Sequence, residues 1–145
     1  MKAVKKKNYL IVILSMLVLC CVCSMKAEAK TYRYVGAMTK KANINKVWYR
    51  DNGAIYKAKF TGNKIILWGR LERYSGTNGK KGTLLKNKKR TFKLAGNVKF
   101  YSSGGDMHSI RLSRSRFNST MTRYNGLGLV MYVKNGKVTK MYLCS

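Results

Sequence analysis

Proline is absent from the 145 residues, and only four carboxylates, one histidine and four cysteines are present. Without proline, no kink or X-Pro turn punctuates the chain, so glycine, asparagine and aspartate must set its turns. Beyond residue 29 the acids are Asp51, Glu72 and Asp106, and the histidine is His108. Metal-assisted hydrolysis needs several such ligands to converge, and glycoside hydrolysis needs a positioned carboxylate pair. Asp106 and His108 lie two apart in a glycine-rich loop near Ser102, Ser103 and Ser109. A hydrolase using Asp106 and His108 is therefore the one enzymatic arrangement left, although no nucleophile motif surrounds those serines. No catalytic residue, metal ligand set or cofactor is expected. Cys20, Cys21 and Cys23 fall in the first 29 residues, which leaves Cys144 alone in the rest. One thiol forms no internal disulfide and, with one histidine, no zinc or iron–sulfur site. Its only covalent option is a Cys144-linked dimer, against the plainer reading of a passive residue.

What is present begins with a leader. Met1 to Lys7 carries four lysines, Tyr9 to Val22 is almost wholly apolar, and Ala27-Glu28-Ala29 has a small-x-small form. That order of regions reads as a secretory signal peptide over residues 1–29, cleaved near Ala29 and followed by a single domain over 30–145. The rival is a retained N-terminal membrane anchor, since the apolar run from Tyr9 to Met25 is at the lower edge of a spanning helix. The whole chain has 31 basic and 4 acidic residues; five lysines and Glu28 go with the leader, so 26 against 3 remain, a net charge of +23. Plentiful Tyr, Val, Ile and Leu argue against disorder. The charge points to anionic polymers of the cell wall or extracellular surface, to nucleic acid, or to an anionic membrane surface. The competing reading is a structural or protein-interaction module of the cell envelope, basic all over and without a specific ligand.

Alternation predicts a mainly β domain. Thr31 to Met38 reads as a first strand, and Thr39 to Asn45 as a basic connection. Val47-Trp48-Tyr49 precedes the turn signal Arg50-Asp51-Asn52-Gly53. Ala54 to Phe60 puts Tyr56, Ala58 and Phe60 opposite Lys57 and Lys59, and Lys64 to Tyr74 reads as one long strand bent at Gly69. After the glycine-rich Ser75 to Gly82 come short strands at Thr83 to Leu85, Arg90 to Ala95 and Asn97 to Tyr101. Phe117, Met121 and Tyr124 fall on one helical face, predicting a helix over about 113–125 with Ser113 as N-cap and Gly126 closing it. Leu127 to Leu143 predicts a hairpin around Asn135-Gly136, the pair best suited to a type I′ turn. Its first arm faces Leu129, Met131 and Val133 one way; its second sets Thr139, Met141 and Leu143 against Val138, Lys140 and Tyr142. Lys134, Lys137 and Lys140 are its only charges, which suggests a scaffolding role.

An N-terminal strand, three strands, a helix and two strands give the order of an OB-like antiparallel barrel of five to six strands. Another small antiparallel barrel or sandwich is the competing architecture. Thr91-Phe92-Lys93-Leu94, Phe117, Gly128-Leu129-Val130-Met131-Tyr132-Val133 and Lys137-Val138-Thr139 carry a further likeness. Through them the segment from Arg90 to Leu143 resembles the second half of small exported bacterial OB-fold proteins. The resemblance implies the barrel and transfers no catalytic or ligand residue.

The candidate binding residues are cationic and aromatic. Lys86, Lys88, Lys89, Arg90 and Lys93 form one cluster after Lys80-Lys81; Arg111, Arg114, Arg116 and Arg123 form another. Arginine's planar fork suits phosphate or sulfate, and lysine adds a mobile point charge. Trp68, Arg70 and Tyr74 would share a strand face suited to stacking on bases or sugars. Against this, large aromatics usually bury most of their area, which favours Trp68 packing beneath the N-terminal segment. The short turns at Thr61-Gly62-Asn63 and Asn135-Gly136 also leave little loop to shape an OB-type cleft.

Overall fold

A computed structural model describes residues 29–104, 108–123 and 125–145. Residues 1–28 of the leader, Asp106 and Tyr124, and the readings placed on them, lie outside the described residues. Nine strands form: β1 (Thr31–Met38), β2 (Ala54–Thr61), β3 (Lys64–Arg70), β4 (Glu72–Ser75), β5 (Gly82–Leu84), β6 (Lys88–Ser103), β7 (Ile110–Leu112), β8 (Gly128–Lys134) and β9 (Lys137–Cys144). A one-turn helix α1 (Val47–Arg50) precedes β2, and α2 (Arg114–Arg123) precedes β8.

Six strands close a barrel in the order β1-β2-β3-β6-β9-β8 and back to β1. The meander β2-β3-β6 is antiparallel, β9 returns parallel to β6, and β8 closes antiparallel onto β1. With α2 before the final hairpin, this is an OB-like barrel whose seam between β2 and β8 is filled by the extra strand β1. β4 and β5 extend the sheet outward from β1.

Inward positions follow the strand period of two. Ile65 and Leu67 on β3, Leu129 and Met131 on β8, and Met141 and Leu143 on β9 are all buried. The hairpin turns on Asn135 at φ 51° and Gly136 at φ 75°, the left-handed pair that a type I′ turn requires. Its second arm departs from strict alternation. A register shift after Tyr132 leaves Thr139 as an extra residue, so Val138 joins Met141 and Leu143 in the core. Ser113 caps α2, its Oγ accepting the Arg116 N–H at 3.2 Å. Phe117 then lies against Phe100, with ring centroids 5.1 Å apart, and closes one end of the barrel.

Two further expectations change, and one segment left unassigned acquires structure. Lys64 to Tyr74 is two strands, because the chain turns a corner after Gly69 and exchanges neighbours β2 and β6 for β1 and β5. Arg90 to Tyr101 is one strand with an irregularity between Leu94 and Lys99, not two. Val47 to Arg50 forms a helical turn.

Gly69 makes the corner possible. Its φ is 146°, and a Cβ there would overlap the Ala54 carbonyl oxygen, where β2 carries its own bulge between Ile55 and Lys57. Gly69→Ala is expected to cost about 2–4 kcal/mol, read as a lower urea midpoint with unchanged slope. A loss below about 0.5 kcal/mol would mean that the corner is not the constraint described.

Candidate functional site

The described carboxylates are already engaged. Asp51 sits 3.7 Å from the Arg50 guanidinium at the surface. Glu72 accepts the Gly53 N–H at 3.0 Å and the Tyr74 hydroxyl at 2.5 Å, and that bond, with burial, raises the Tyr74 pKa. His108 is exposed. Among the described residues, no three His, Cys, Asp or Glu side chains lie close enough to hold a metal ion.

In a chain so short of acids, guanidinium groups turn to backbone carbonyls and aromatic faces. Arg70 donates to the Ile44 oxygen and, at 3.0 Å, to the Tyr49 oxygen, tying the segment before β2 onto β3. Arg90 donates to Gly69, Lys88 and Lys86 oxygens, and burial lowers its pKa. Arg114 reaches the Gly62 oxygen at 2.6 Å and lies over the Phe60 ring. Arg33 braces the glycine-rich loop through Thr77 and Gly79 oxygens and covers Tyr74 at 4.4 Å. Tyr74 therefore packs around the corner from Trp68 and Arg70 and shares no platform with them. Arg111 stands opposite Tyr101 on β7, and Arg116 and Arg123 are exposed on α2, so the predicted arginine cluster is divided among separate elements.

Lysines are arranged differently. Register places Lys57, Trp68 and Lys89 directly across β2, β3 and β6. The two ammonium groups lie 4.9 and 5.7 Å from the indole centroid. Trp68 is thus half-buried on the outer face between two cations. β1 fills the seam between β2 and β8, and does not cover it. At the other end of the same face, Lys64 opposes Lys93, Lys93 opposes Lys137, and Lys137 opposes Lys134. Four lysines on four adjacent strands form one row, with steps of about 4.8 Å set by strand spacing. All four are exposed, and none has a carboxylate partner among the described residues. Like charges directly across a ladder are destabilising. A row of them is a standing electrostatic cost that a bound anion would remove.

The row runs beside a cleft of about 620 Å³. Lys93, Lys137 and Arg114 rim it, over Leu94, Val98 and Phe100. No family model, curated protein or solved structure matches this chain. The geometry alone carries the functional reading.

Of the predicted site residues, Lys89, Lys93 and Trp68 come together on this face, Lys86 and Lys88 are exposed at its β6 edge, and Arg70, Arg90 and Arg114 are braces. Missed were Lys57, Lys64, Lys134 and Lys137. Their alternation with buried neighbours puts each on an outer face, but the row depends on strand register. The hairpin thus contributes two cations of the row as well as scaffold. A second outer surface was also missed, where Tyr101 stacks on Tyr142 at 4.9 Å and Tyr132 meets Tyr142 edge-on at 5.8 Å. Burial raises the Tyr142 pKa, and burial likewise pushes up the thiol of neighbouring Cys144. A raised thiol pKa makes Cys144 a poorer nucleophile for disulfide exchange.

Proposed function

We propose that the domain is a non-enzymatic binder of linear polyanions, such as wall polymer, acidic glycan or nucleic acid, and that it acts outside the cell after export by its leader. The observation that carries this reading is the cross-strand row Lys64–Lys93–Lys137–Lys134, which has no neutralising carboxylate among the described residues. A small anion would neutralise one pair. A chain of regularly spaced charges lying across the strands would neutralise the whole row. Trp68, held between Lys57 and Lys89 on the same face, offers a ring for a base or sugar to stack on. Lysine suits this task because a flexible point charge tolerates variation in the polymer.

The test is binding to a sulfated glycan, a phosphate-rich wall polymer and single-stranded DNA across a salt series. Log affinity is expected to fall linearly with log salt, with a slope near −3 for about four neutralised charges. No binding at low salt would remove the proposal. Recovery of a protein partner held independently of salt would favour an interaction module instead. The hydrolase alternative rests on Asp106, outside the described residues, and on the exposed ring of His108.

A further inference from the structure

Val47 and Trp48 are adjacent, apolar and turned to solvent, with relative exposures of 76% and 85%. They exceed every other large hydrophobic side chain among the described residues. Looseness of the chain does not account for this, because the turn beneath them is braced on several sides. Arg70 donates to the carbonyl oxygens of Ile44 and Tyr49, which bracket the pair. Asn52 Nδ2 donates to the Trp48 oxygen at 3.0 Å, and Ile44 is buried at 5% exposure. The backbone is fixed inward while the two apolar side chains are held outward.

Charge frames this tip. Lys40, Lys41, Lys46 and Arg50 are all exposed around it, and the segment's one carboxylate, Asp51, is next to Arg50. Tryptophan prefers the boundary between headgroups and acyl chains, where its ring meets hydrocarbon and its N–H stays wet. Lysine and arginine beside such a ring are drawn to anionic headgroups. A hydrophilic polymer offers no apolar phase for Val47. Two side chains are also far short of the roughly 1,200–2,000 Å² that a specific protein interface buries.

We propose that the Val47–Trp48 turn is a membrane-docking tip that inserts shallowly into an anionic lipid surface. It goes beyond the polymer-binding reading, since it uses neither the lysine row nor Trp68. Arg70, in this account, is a positioning residue that holds the tip out.

The experiment uses residues 30–145, which contain every element of the barrel, in two vesicle preparations. One is phosphatidylcholine alone; the other is an equal mixture with phosphatidylglycerol. In a Trp68→Phe background, Trp48 is the only indole. Its emission is expected to shift to the blue, and to be quenched by brominated acyl chains, with the anionic vesicles only. In co-sedimentation at physiological salt, Trp48→Ala and Val47→Ser should each weaken vesicle binding, the former by about tenfold or more. Both should leave affinity for a sulfated glycan unchanged, and both sites are exposed enough for the fold to persist. An unshifted, unquenched Trp48 would overturn the proposal. So would Trp48→Ala binding vesicles like the parent, since contact would then run through lysines alone. A parent protein that docks on vesicles but binds no glycan would instead count against the polymer reading and spare this one.

Discussion

Phe117→Ala is expected to lower the stability of the domain by about 3–5 kcal/mol, the largest effect of any single truncation. Phe117 has no exposed surface and meets Phe100 at 5.1 Å and Phe60 at 6.3 Å, tying α2 to β6 and β2 at the end of the barrel. Truncation loses the transfer free energy of the ring and leaves a cavity that two facing phenylalanines can fill only in part. Since domains of this size are stable by roughly 5–15 kcal/mol, the variant should be marginal. The measurement is urea unfolding, in which the midpoint should fall at unchanged slope. Phe117→Leu should cost about 1–2 kcal/mol, because most of the volume stays. If Phe117→Ala cost less than about 1 kcal/mol, α2 would be an ornament on a self-sufficient barrel.

The helix and the last hairpin were legible because their signals are local. Ser113, the spacing of Phe117 and Met121, and Asn135-Gly136 each act within a few residues. The break between β3 and β4 was hidden for a physical reason. Leu71 still points inward after the corner, so alternation runs on through Ile65, Leu67 and Leu71 while the chain changes partners. Thr139 misled for the converse reason: a one-residue bulge flips every later side chain, and nothing in the arm's own sequence announces it.

The site was legible only as an excess of charge. Clustering along the sequence drew attention to Arg90, Arg111, Arg114 and Arg116, yet residues near in sequence point to different sides of a barrel. Arg90 and Arg114 turned to carbonyl oxygens because few carboxylates were there to receive them. Lys64, Lys93, Lys137 and Lys134 span 74 residues of sequence and meet through three strand pairings, one of them parallel and long-range. Strand register, which the sequence does not display, made them a row.

Replacing Lys64, Lys93, Lys134 and Lys137 together by glutamine is expected to weaken polyanion binding by about a hundred- to a thousandfold at moderate salt. Each neutralised contact contributes a counterion-release term, so the salt slope should also become shallower by about 3. Stability should move the other way. Three like-charged cross-strand pairs disappear, each worth a few tenths of a kcal/mol or more, so the variant should unfold at slightly higher urea. Opposite signs for binding and stability distinguish a site maintained at a cost from charge that merely keeps the surface soluble.

If the lysine row is the site, position on the barrel, not total charge, decides binding. The direct measurement compares that variant with a charge-matched one carrying glutamine at Lys80, Lys81, Lys99 and Lys140, all exposed and outside the row. Titrating both with one sulfated glycan over a salt series should flatten the slope in the row variant and leave the matched variant close to the parent. Equal losses of affinity and equal slopes in the two would contradict the account and show a protein that is basic all over with no binding face.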